Sequence, residues 1–408
     1  MTLANIVKKI IEAQEEQKNI TLNLMPIENL LSPSALSMLA SDSVNRYCLE
    51  NTDRRICAGW FAPGENGLVM LEEEVNKNLS KLFNVNYLTT RPLGGLSAME
   101  IVLSALAKMR KNPKIFSIHK LFGGHSATVK MAKALGYKHE YLPFKEDEPT
   151  EIDLRKLEIM AKNNPIDLVY LDLSCILFPV KLKKLKKTLG KDTIICYDGA
   201  HVLGLIANGY FQDPLKEGAD IVCGSLHKTF FGPQRGIIMT NSKEIWNAID
   251  EVANFKVSNR HYNDLASLGI SVSEMIDFGK DYAKQTIVNS KALAASLQES
   301  GFDVYHSKSK SIPTLSHQVW IKFDNNVAKE FAKRAFSSNI ILNSYLLPGM
   351  KNPGLRLGVQ GITRLGMKED EMKEIAKALT LIKEDQSEKA KSIISSLVIK
   401  FNKVQFTY

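Results

Sequence analysis

The sequence predicts an α/β protein with a mainly parallel sheet flanked by helices and a smaller C-terminal α/β domain. From about Lys114 onward, short β-rich runs alternate with helical patterns, as in the strand–helix–strand crossovers of a parallel sheet. The chain has 408 residues, enough for more than one domain at roughly 150 residues per domain. Its apolar fraction of 44% is an ordinary globular value, which excludes a disordered or fibrous protein.

The first part of the alternation predicts the large domain. Strands are expected at 115–118, 137–144, 168–173 and 193–197, separated by helices near 126–135, from Asp153 and over the lysine-rich stretch near 181–189. Strands at 221–225 and 237–240 follow, and the glycine-containing segment between them indicates a tight loop rather than a crossover.

Long helical patterns over 273–300 lead into the smaller domain. A βαβ-like set follows, with strands at 318–323, 340–343 and 355–359 and helices near 327–337 and from Lys368. We therefore expect an N-terminal arm over 1–25, a large α/β domain over 26–272, and a long helix with the small C-terminal α/β domain over 273–408.

The charge balance is basic, with 53 Lys and Arg against 44 Asp and Glu and a formal net charge of +9. Such a balance suits an anionic ligand, nucleic acid or an acidic membrane surface. The densest basic stretch spaces its leucines as an amphipathic surface helix does and contains Lys181, Lys183, Lys184, Lys186 and Lys187. Because this stretch has no aromatic residue to stack on bases, we interpret it as a solvated face and do not expect nucleic-acid binding.

The cysteines and the N-terminus indicate a reduced, cytoplasmic protein. No CxxC pair occurs among Cys48, Cys57, Cys175, Cys196 and Cys223, and several of them lie in apolar strand-like runs. Residues 1–17 lack the apolar stretch of a signal peptide, and no run approaches the roughly 18 apolar residues of a membrane span. We expect no membrane association and no metal site.

Polar side chains follow several predicted strands at the points where those strands end. They are Ser174, the segment Asp198-Gly199-Ala200-His201, Ser225 with His227-Lys228-Thr229, and Gly123-Gly124-His125. Ligands of open parallel sheets bind beyond the carboxyl ends of the strands, so these side chains are expected to converge. Each also has a structural interpretation when taken singly: Asp198 as a helix N-cap, His125 as a buried histidine, Lys228 as a turn residue.

Together the strand-end residues fit the requirements of pyridoxal phosphate (PLP). This cofactor needs a lysine for a Schiff base and an acid to keep its pyridinium nitrogen protonated, which Lys228 and Asp198 would supply. His125 would cover the ring. Gly94 and Gly95 precede an apolar helical pattern, so free N–H groups at the start of that helix would bind the phosphate.

The ordered segments resemble the serine hydroxymethyltransferase family of fold-type I PLP enzymes. Besides the strand-end segments and Gly232-Pro233, the resemblance rests on Ile27-Glu28-Asn29, Ser32-Pro33, Asn45-Arg46-Tyr47, Gly354-Leu355-Arg356-Leu357-Gly358 and Ile362-Thr363-Arg364. It covers most of the chain. It implies a large PLP-binding domain with a mainly parallel, seven-stranded sheet.

The resemblance also implies roles for single residues around the cofactor. Lys228 would be the Schiff-base lysine, Asp198 the pyridinium partner and His125 the residue stacked on the ring. Ser174 would hydrogen-bond the ring oxygen, and Ser225 and His227 would flank the lysine. The phosphate would be held by Gly94, Gly95 and Ser97.

On the substrate side, the resemblance implies that Arg356 grips the carboxylate in a bidentate fork and that His201 lies beside the cofactor hydroxyl and the substrate. Tyr47 of one subunit would contribute to the active site of the neighbouring subunit. The protein is therefore expected to be a homodimer or larger, with active sites at the interface.

The sequence departs from the family pattern at the positions that serve tetrahydrofolate in folate-using members. The family's catalytic glutamate lies two residues after the tyrosine, where this chain has Leu49. Glu50, one step further, either takes the role or lies at the surface, and the shift favours the surface. The tyrosine expected after Arg55 is replaced by Ile56 and Cys57, and the pteridine-contacting segment 343–347 matches poorly. These departures favour an enzyme that does not use tetrahydrofolate.

The expected reaction makes or breaks the Cα–Cβ bond of a small β-hydroxy amino acid, through a glycyl carbanion and an aldehyde. His201 or Glu50 would handle the β-hydroxyl proton. Two alternatives stay open: folate-dependent serine hydroxymethyltransferase, and another PLP reaction at Cα such as transamination, racemisation or decarboxylation. A scaffold that binds RNA or protein is a third hypothesis, and the joint presence of Lys228, Asp198 and Arg356 argues against it.

Overall fold

The computed structural model describes residues 1–47, 66–324 and 327–408 and contains two compact units. The larger comprises Asn29–Ala283 and Phe406–Tyr408, and the smaller comprises Met1–Glu28 and Lys284–Gln405. The strands are β1 (Leu22–Asn23), β2 (Tyr87–Thr89), β3 (Lys114–Ser117), β4 (Lys138–Tyr141), β5 (Leu168–Leu171), β6 (Ile194–Asp198), β7 (Ile221–Ser225), β8 (Gly236–Thr240), β9 (Gln318–Ile321), β10 (Ile340–Ile341), β11 (Asn343–Tyr345) and β12 (Gly354–Gly358).

Two 3-10 helices lie at Asp42–Asn45 and Lys120–Phe122. The α-helices are α1 (Leu3–Lys18), α2 (Pro33–Met38), α3 (Asn66–Phe83), α4 (Gly95–Met109), α5 (Ser126–Ala134), α6 (Leu154–Asn163), α7 (Leu182–Leu189), α8 (Leu203–Ala207), α9 (Pro214–Glu217), α10 (Lys243–Lys256), α11 (Tyr262–Asp277), α12 (Gly279–Glu299), α13 (Ala328–Ser337), α14 (Gln360–Arg364), α15 (Glu369–Lys383) and α16 (Ser387–Lys400). Over the described residues, every helix is too short or too polar to cross a membrane.

The larger unit is built on a seven-stranded sheet in the order β2-β8-β7-β6-β5-β3-β4. Strands β3 to β7 are parallel to one another, while β8 is antiparallel to both β7 and β2. The predicted fold class, a mainly parallel seven-stranded sheet flanked by helices, is confirmed. The tight connection predicted between the last two strands is also present, because β7 and β8 form an antiparallel pair.

The central strands are apolar and fully buried because the sheet is covered on its faces. Every residue of β5 and β7 is buried. On one face Leu168 and Ile221 pack with Val102 of α4 and Ile249 of α10 in a single apolar cluster. Burial of that apolar surface fixes the strand register, and the register fixes which residues reach the carboxyl edge.

The direction of the chain reverses next to β3. Strand β3 lies between β4 and β5. The strand that follows β3 in the chain, β4, pairs with it on one side, whereas β5 and then β6 are added on the other side. At such a switch point the loops beyond the carboxyl ends diverge and leave room for a ligand. The loops that carry His125 and Ser174 belong to these two strands.

The smaller unit differs from the expected βαβ-like set. The predicted strand at 340–343 divides at Leu342: β10 pairs in parallel with β1, and β11 pairs with β12. Strand β12 lies between β11 and β9 and is antiparallel to both. The unit β9–α13–β11 is thus a split βαβ unit with β12 inserted. Helices α13, α15 and α16 contribute to the apolar core of this unit.

The lysine-rich stretch forms the surface helix α7, as predicted. Its Leu182 and Leu185 are buried, while Lys183, Lys184 and Lys187 are exposed. Two further lysines of the stretch pair with acids: Lys181 with Glu151 at 2.6 Å and Lys186 with Asp220 at 2.7 Å. These ion pairs reduce the positive charge that this face presents.

Candidate active site

A cavity of about 310 Å³ lies at the carboxyl edge of the seven-stranded sheet. Its walls come from the start of α4 and from the loops that follow β3, β5, β6 and β7. It is lined by Gly94, Gly95, Leu96, Met99, His125, Asp172, Leu173, Ser174, Asp198, Ala200, His201, Ser225, His227, Lys228 and Gln234. The structure therefore brings most of the predicted strand-end residues to one cavity.

Asp198 and Lys228 reach this cavity from neighbouring strands. Asp198 ends β6, and its Oδ1 accepts a hydrogen bond from the N–H of Ala200 at 3.0 Å. Burial raises the pKa of Asp198, whereas that hydrogen bond and the positive charge of Lys228 lower it. Gly224 makes the close approach of the two loops possible, since it has φ +154° and a Cβ there would lie 2.6 Å from the nitrogen of Ala200.

His125 is held by its backbone and by its ring. It caps α5, and its Nδ1 accepts a hydrogen bond from the N–H of Ala127 at 3.2 Å. Burial lowers the pKa of His125, with Asp198 raising it and Lys228 lowering it further. A neutral ring whose Nδ1 accepts carries its proton on Nε2. His125 as a whole is nevertheless exposed and lines the cavity, so a cofactor bound there could reach it.

His201 is tied to the lysine loop. The hydroxyl of Thr229 donates to the carbonyl of His201 at 3.0 Å and accepts from the N–H of Gly204 at 3.2 Å. His201 is only 4% exposed. The segment after β6 and the residue after Lys228 are therefore fixed to one another.

The end of the cavity next to α4 suits an anion. The first N–H groups of a helix have no acceptor within the helix, and the dipole adds positive potential there. Ser225 Oγ and His227 Nδ1 are buried and make no hydrogen bond to any residue that the structure describes. A Cβ on Gly95 would lie 3.4 Å from the Cβ of Ser225, so Ser225 is adjacent to the start of the helix.

These unpartnered atoms are what a bound phosphate would satisfy. Burial and the charge of Lys228 lower the pKa of His227 to about 4, which keeps its ring neutral. Together with the acid and the lysine at the other end of the cavity, the residues present fit PLP.

Not all predicted site residues line the cavity. Ser97 lies in the first turn of α4 and is partly buried, and Tyr47 is 51% exposed. Arg356 belongs to β12 in the smaller unit, where its guanidinium carbon lies 4.4 Å from the ring centroid of Tyr345. Glu50 lies outside the described residues, as do Leu49 and Cys57.

Sequence reasoning missed five lining residues: Leu96, Met99, Asp172, Leu173 and Gln234. Asp172 is the most informative of them. The predicted strand extended to 173, but β5 ends at Leu171, so Asp172 is itself the first residue beyond the strand. The strand-end rule that found Ser174 would have found Asp172 with the correct boundary.

Known proteins match this sequence over nearly its whole length. The sequence profile described as serine hydroxymethyltransferase matches residues 2–379. A serine hydroxymethyltransferase from Methanobrevibacter smithii is 36% identical over 98% of this chain and 95% of its own length. One from Methanosphaera stadtmanae is 37% identical over 93% of this chain and 92% of its own.

A solved structure shares the fold. The L-threonine transaldolase from Pseudomonas fluorescens aligns with a TM-score of 0.90 and 26% identity, over 99% of this chain and 93% of its own. The profile match and the relatives agree with the resemblance of the sequence motifs, and the transaldolase agrees with the observed sheet. The chain belongs to the serine hydroxymethyltransferase family and is a PLP-dependent transferase that acts on amino acids.

Proposed function

We propose that this enzyme makes or breaks the Cα–Cβ bond of a small β-hydroxy amino acid, with an aldehyde as the second partner, and that it does so without tetrahydrofolate. The observation that carries the proposal is the convergence of Lys228, Asp198, His125 and His201 on one cavity with unpartnered polar atoms at its α4 end. Bound there, PLP supplies an electron sink for the negative charge that develops at Cα.

The cofactor would be held by groups from the larger unit. Lys228 supplies the amine that attaches it and Asp198 the acid for the ring nitrogen. The start of α4 at Gly94 and Gly95, with Ser97, Ser225 and His227, would bind the phosphate. His125 would cover the ring, and Ser174 would bond the ring oxygen.

Bond cleavage also needs a base. When the Cα–Cβ bond breaks, its electron pair stays at Cα, and the β-hydroxyl loses its proton as the carbon becomes an aldehyde. We assign that proton to His201, with Glu50 as the alternative; such a transfer contributes roughly 10² to 10⁴ in rate. Arg356 is proposed to bind the substrate carboxylate, on the strength of the Gly354-Leu355-Arg356-Leu357-Gly358 motif.

Folate independence rests on the replacement of the expected carboxylate and tyrosine by Leu49 and Cys57. A site built for hydrogen bonds loses much of its selectivity when the bonding groups are absent. The solved relative, an L-threonine transaldolase, supports an aldehyde as partner. The second candidate is folate-dependent hydroxymethyl transfer from serine, which the names of the sequence relatives favour.

Rates with L-serine, with and without tetrahydrofolate, separate the two candidates. The proposal expects little response to folate and aldehyde formation from larger β-hydroxy amino acids. A large, saturable stimulation by folate, abolished in Glu50→Gln, would establish the second candidate instead. Product analysis with serine, threonine and alanine tests the remaining alternatives of transamination, racemisation and decarboxylation.

We also propose a homodimer or larger assembly in the cytoplasm, in which Tyr47 of one subunit serves the site of the other. The exposed position of Tyr47 and the buried thiols of Cys175, Cys196 and Cys223 support these assignments.

A further inference from the structure

Asp172 is a buried acid at the edge of the cavity whose described partners are all neutral. It is 2% exposed and lines the cavity one residue beyond β5. Its carboxyl oxygens accept three hydrogen bonds: from the N–H of Ile118 at 3.2 Å, the N–H of His125 at 3.0 Å and the hydroxyl of Thr128 at 2.5 Å. A buried carboxyl group costs desolvation free energy, so its position among three donors calls for an explanation beyond packing.

The three donors all belong to the segment that carries His125. Ile118 follows β3, His125 caps α5 and Thr128 lies in the first turn of α5. Oδ2 of Asp172 binds both His125 and Thr128, and Oδ1 binds Ile118. One side chain thus ties the exit of β3 and the start of α5 to the end of β5.

A second contact joins the same two loops. Gly124 forms a β-bridge with Leu173, and the N–H of Ser174 donates to the carbonyl of Gly123 at 2.8 Å. Gly124 has no room for a side chain, since a Cβ there would lie 2.0 Å from the carbonyl oxygen of Ile118. The loops after β3 and β5, which diverge at the switch point of the sheet, are therefore linked beside the cavity.

We propose that Asp172 is a positioning residue that sets His125 and Ser174 against the bound cofactor. Its bond to the His125 N–H fixes the backbone of that residue, and the bond from Ala127 to Nδ1 then fixes the ring. The part of this proposal that concerns the cofactor rests on the proposed function. The link between the loops is a property of the protein itself.

The test uses the full-length protein as purified, with two substitutions that preserve volume. Asp172→Asn turns an acceptor into an amide that can present N–H groups to the same donors. Thr128→Val removes one donor, and Thr128→Ser is its matched control because it keeps the hydroxyl. Two readouts are measured: hydrogen exchange of the 118–128 segment, and the visible circular dichroism and affinity of PLP.

We expect Asp172→Asn to accelerate exchange in 118–128 and to weaken PLP binding roughly tenfold or more, with reduced visible dichroism. Thr128→Val should act in the same direction, and Thr128→Ser should match the wild type. In a His125→Ala background, Asp172→Asn should have a smaller effect on the cofactor signal than in the wild type, because only the part that acts through Ser174 remains.

Three results would overturn the proposal: unchanged exchange in both Asp172→Asn and Thr128→Val, altered exchange with an unchanged cofactor signal, or an Asp172→Asn effect as large in His125→Ala as in the wild type. If the wild type itself binds no PLP, the proposed function fails and so does the positioning role toward the cofactor. The exchange measurement then still decides whether Asp172 links the loops.

Discussion

The side-chain Nδ2 of Asn29 donates a hydrogen bond to the backbone carbonyl of Lys228 at 2.6 Å, across 199 residues of sequence. The same nitrogen donates to the hydroxyl of Tyr282 at 2.9 Å, and Oδ1 of Asn29 accepts from the N–H of Leu30 at 2.9 Å. The Ile27-Glu28-Asn29 motif contributed to the family resemblance without an assigned role. The structure indicates a role for Asn29, because its side chain holds the backbone of Lys228, the proposed Schiff-base lysine.

Asn29→Ala should lower the free energy of unfolding by about 1 to 2 kcal/mol, because it removes two donated hydrogen bonds from a partly buried site. It should also slow covalent attachment of PLP. Asn78→Ala is the matched control, since Asn78 makes the same type of bond to the carbonyl of Glu74 on the exposed face of α3. Urea denaturation with visible absorbance measures both effects. Equal losses in the two variants would contradict the anchoring role.

A pH dependence follows from Asp172. Burial raises its pKa from 3.8 to about 7, although the hydrogen bonds from Thr128, Ile118 and His125 lower it. In the folded protein the carboxyl group of Asp172 therefore stays protonated between about pH 4 and pH 7, whereas in the unfolded chain it has lost its proton over this range. The contribution to stability is complete below pH 4 and is lost as the pH rises to 7.

The measurement compares unfolding free energies of the wild type and Asp172→Asn across this range. The unfolding free energy of the wild type minus that of Asp172→Asn should fall by at most about 1.4 kcal/mol per pH unit from pH 4 to pH 7. Above pH 7 this difference should stay constant. A difference that stays level from pH 4 to pH 7 would show that the carboxyl group of Asp172 is ionised throughout this range in the folded protein.

The strand-end rule explains how much of the site could be predicted from sequence. Asp198 and Ser225 end strands that are apolar runs, and Lys228 follows the second of these strands. Their convergence was therefore predictable from the pattern and the topology of a parallel sheet. Asp172 was missed because Leu173 continued the apolar run beyond the true end of β5. An apolar run indicates which residues are buried, and buried residues can continue beyond the last residue that pairs in the sheet. The run therefore does not locate the end of the strand.

The smaller unit shows a second limit. The 340–343 run has the composition of one strand, yet Ile340 pairs with Leu22 and Asn343 pairs with Arg356. Leu22 is distant in sequence and Arg356 belongs to the next strand, and residue pattern alone does not show that the run divides between them. The order of β11, β12 and β9 likewise depends on tertiary pairing.

Arg356→Ala should weaken amino-acid binding by about 100-fold or more, because a bidentate pair with the substrate carboxylate is lost. Arg356→Lys should recover only part of this, since an ammonium lacks the planar fork. PLP absorbance should survive in both. Arg334→Ala, which removes a pair with Asp385 in the same unit, is the control. An unchanged affinity for the amino acid in Arg356→Ala would show that Arg356 does not bind the substrate.

Mixed subunits test whether Tyr47 serves a partner's site. Tyr47→Ala and Lys228→Ala should each be nearly inactive as pure proteins. A hybrid dimer would contain one site with both residues intact, so random mixing should restore about one quarter of the wild-type specific activity. Light scattering confirms the assembly state. No recovery in dimers that have demonstrably exchanged would place Tyr47 and Lys228 in the same subunit's site or remove Tyr47 from the reaction.

The most direct test of Cα–Cβ chemistry is the stoichiometry of products from L-threonine in the absence of folate. The account predicts glycine and acetaldehyde in equal amounts, formed by the PLP-loaded wild type and by Lys216→Ala, which alters an exposed lysine paired with Asp213. Lys228→Ala should form neither and should lose the borohydride-reducible link to PLP. Products that keep the four-carbon skeleton, or unchanged cleavage by Lys228→Ala, would contradict it.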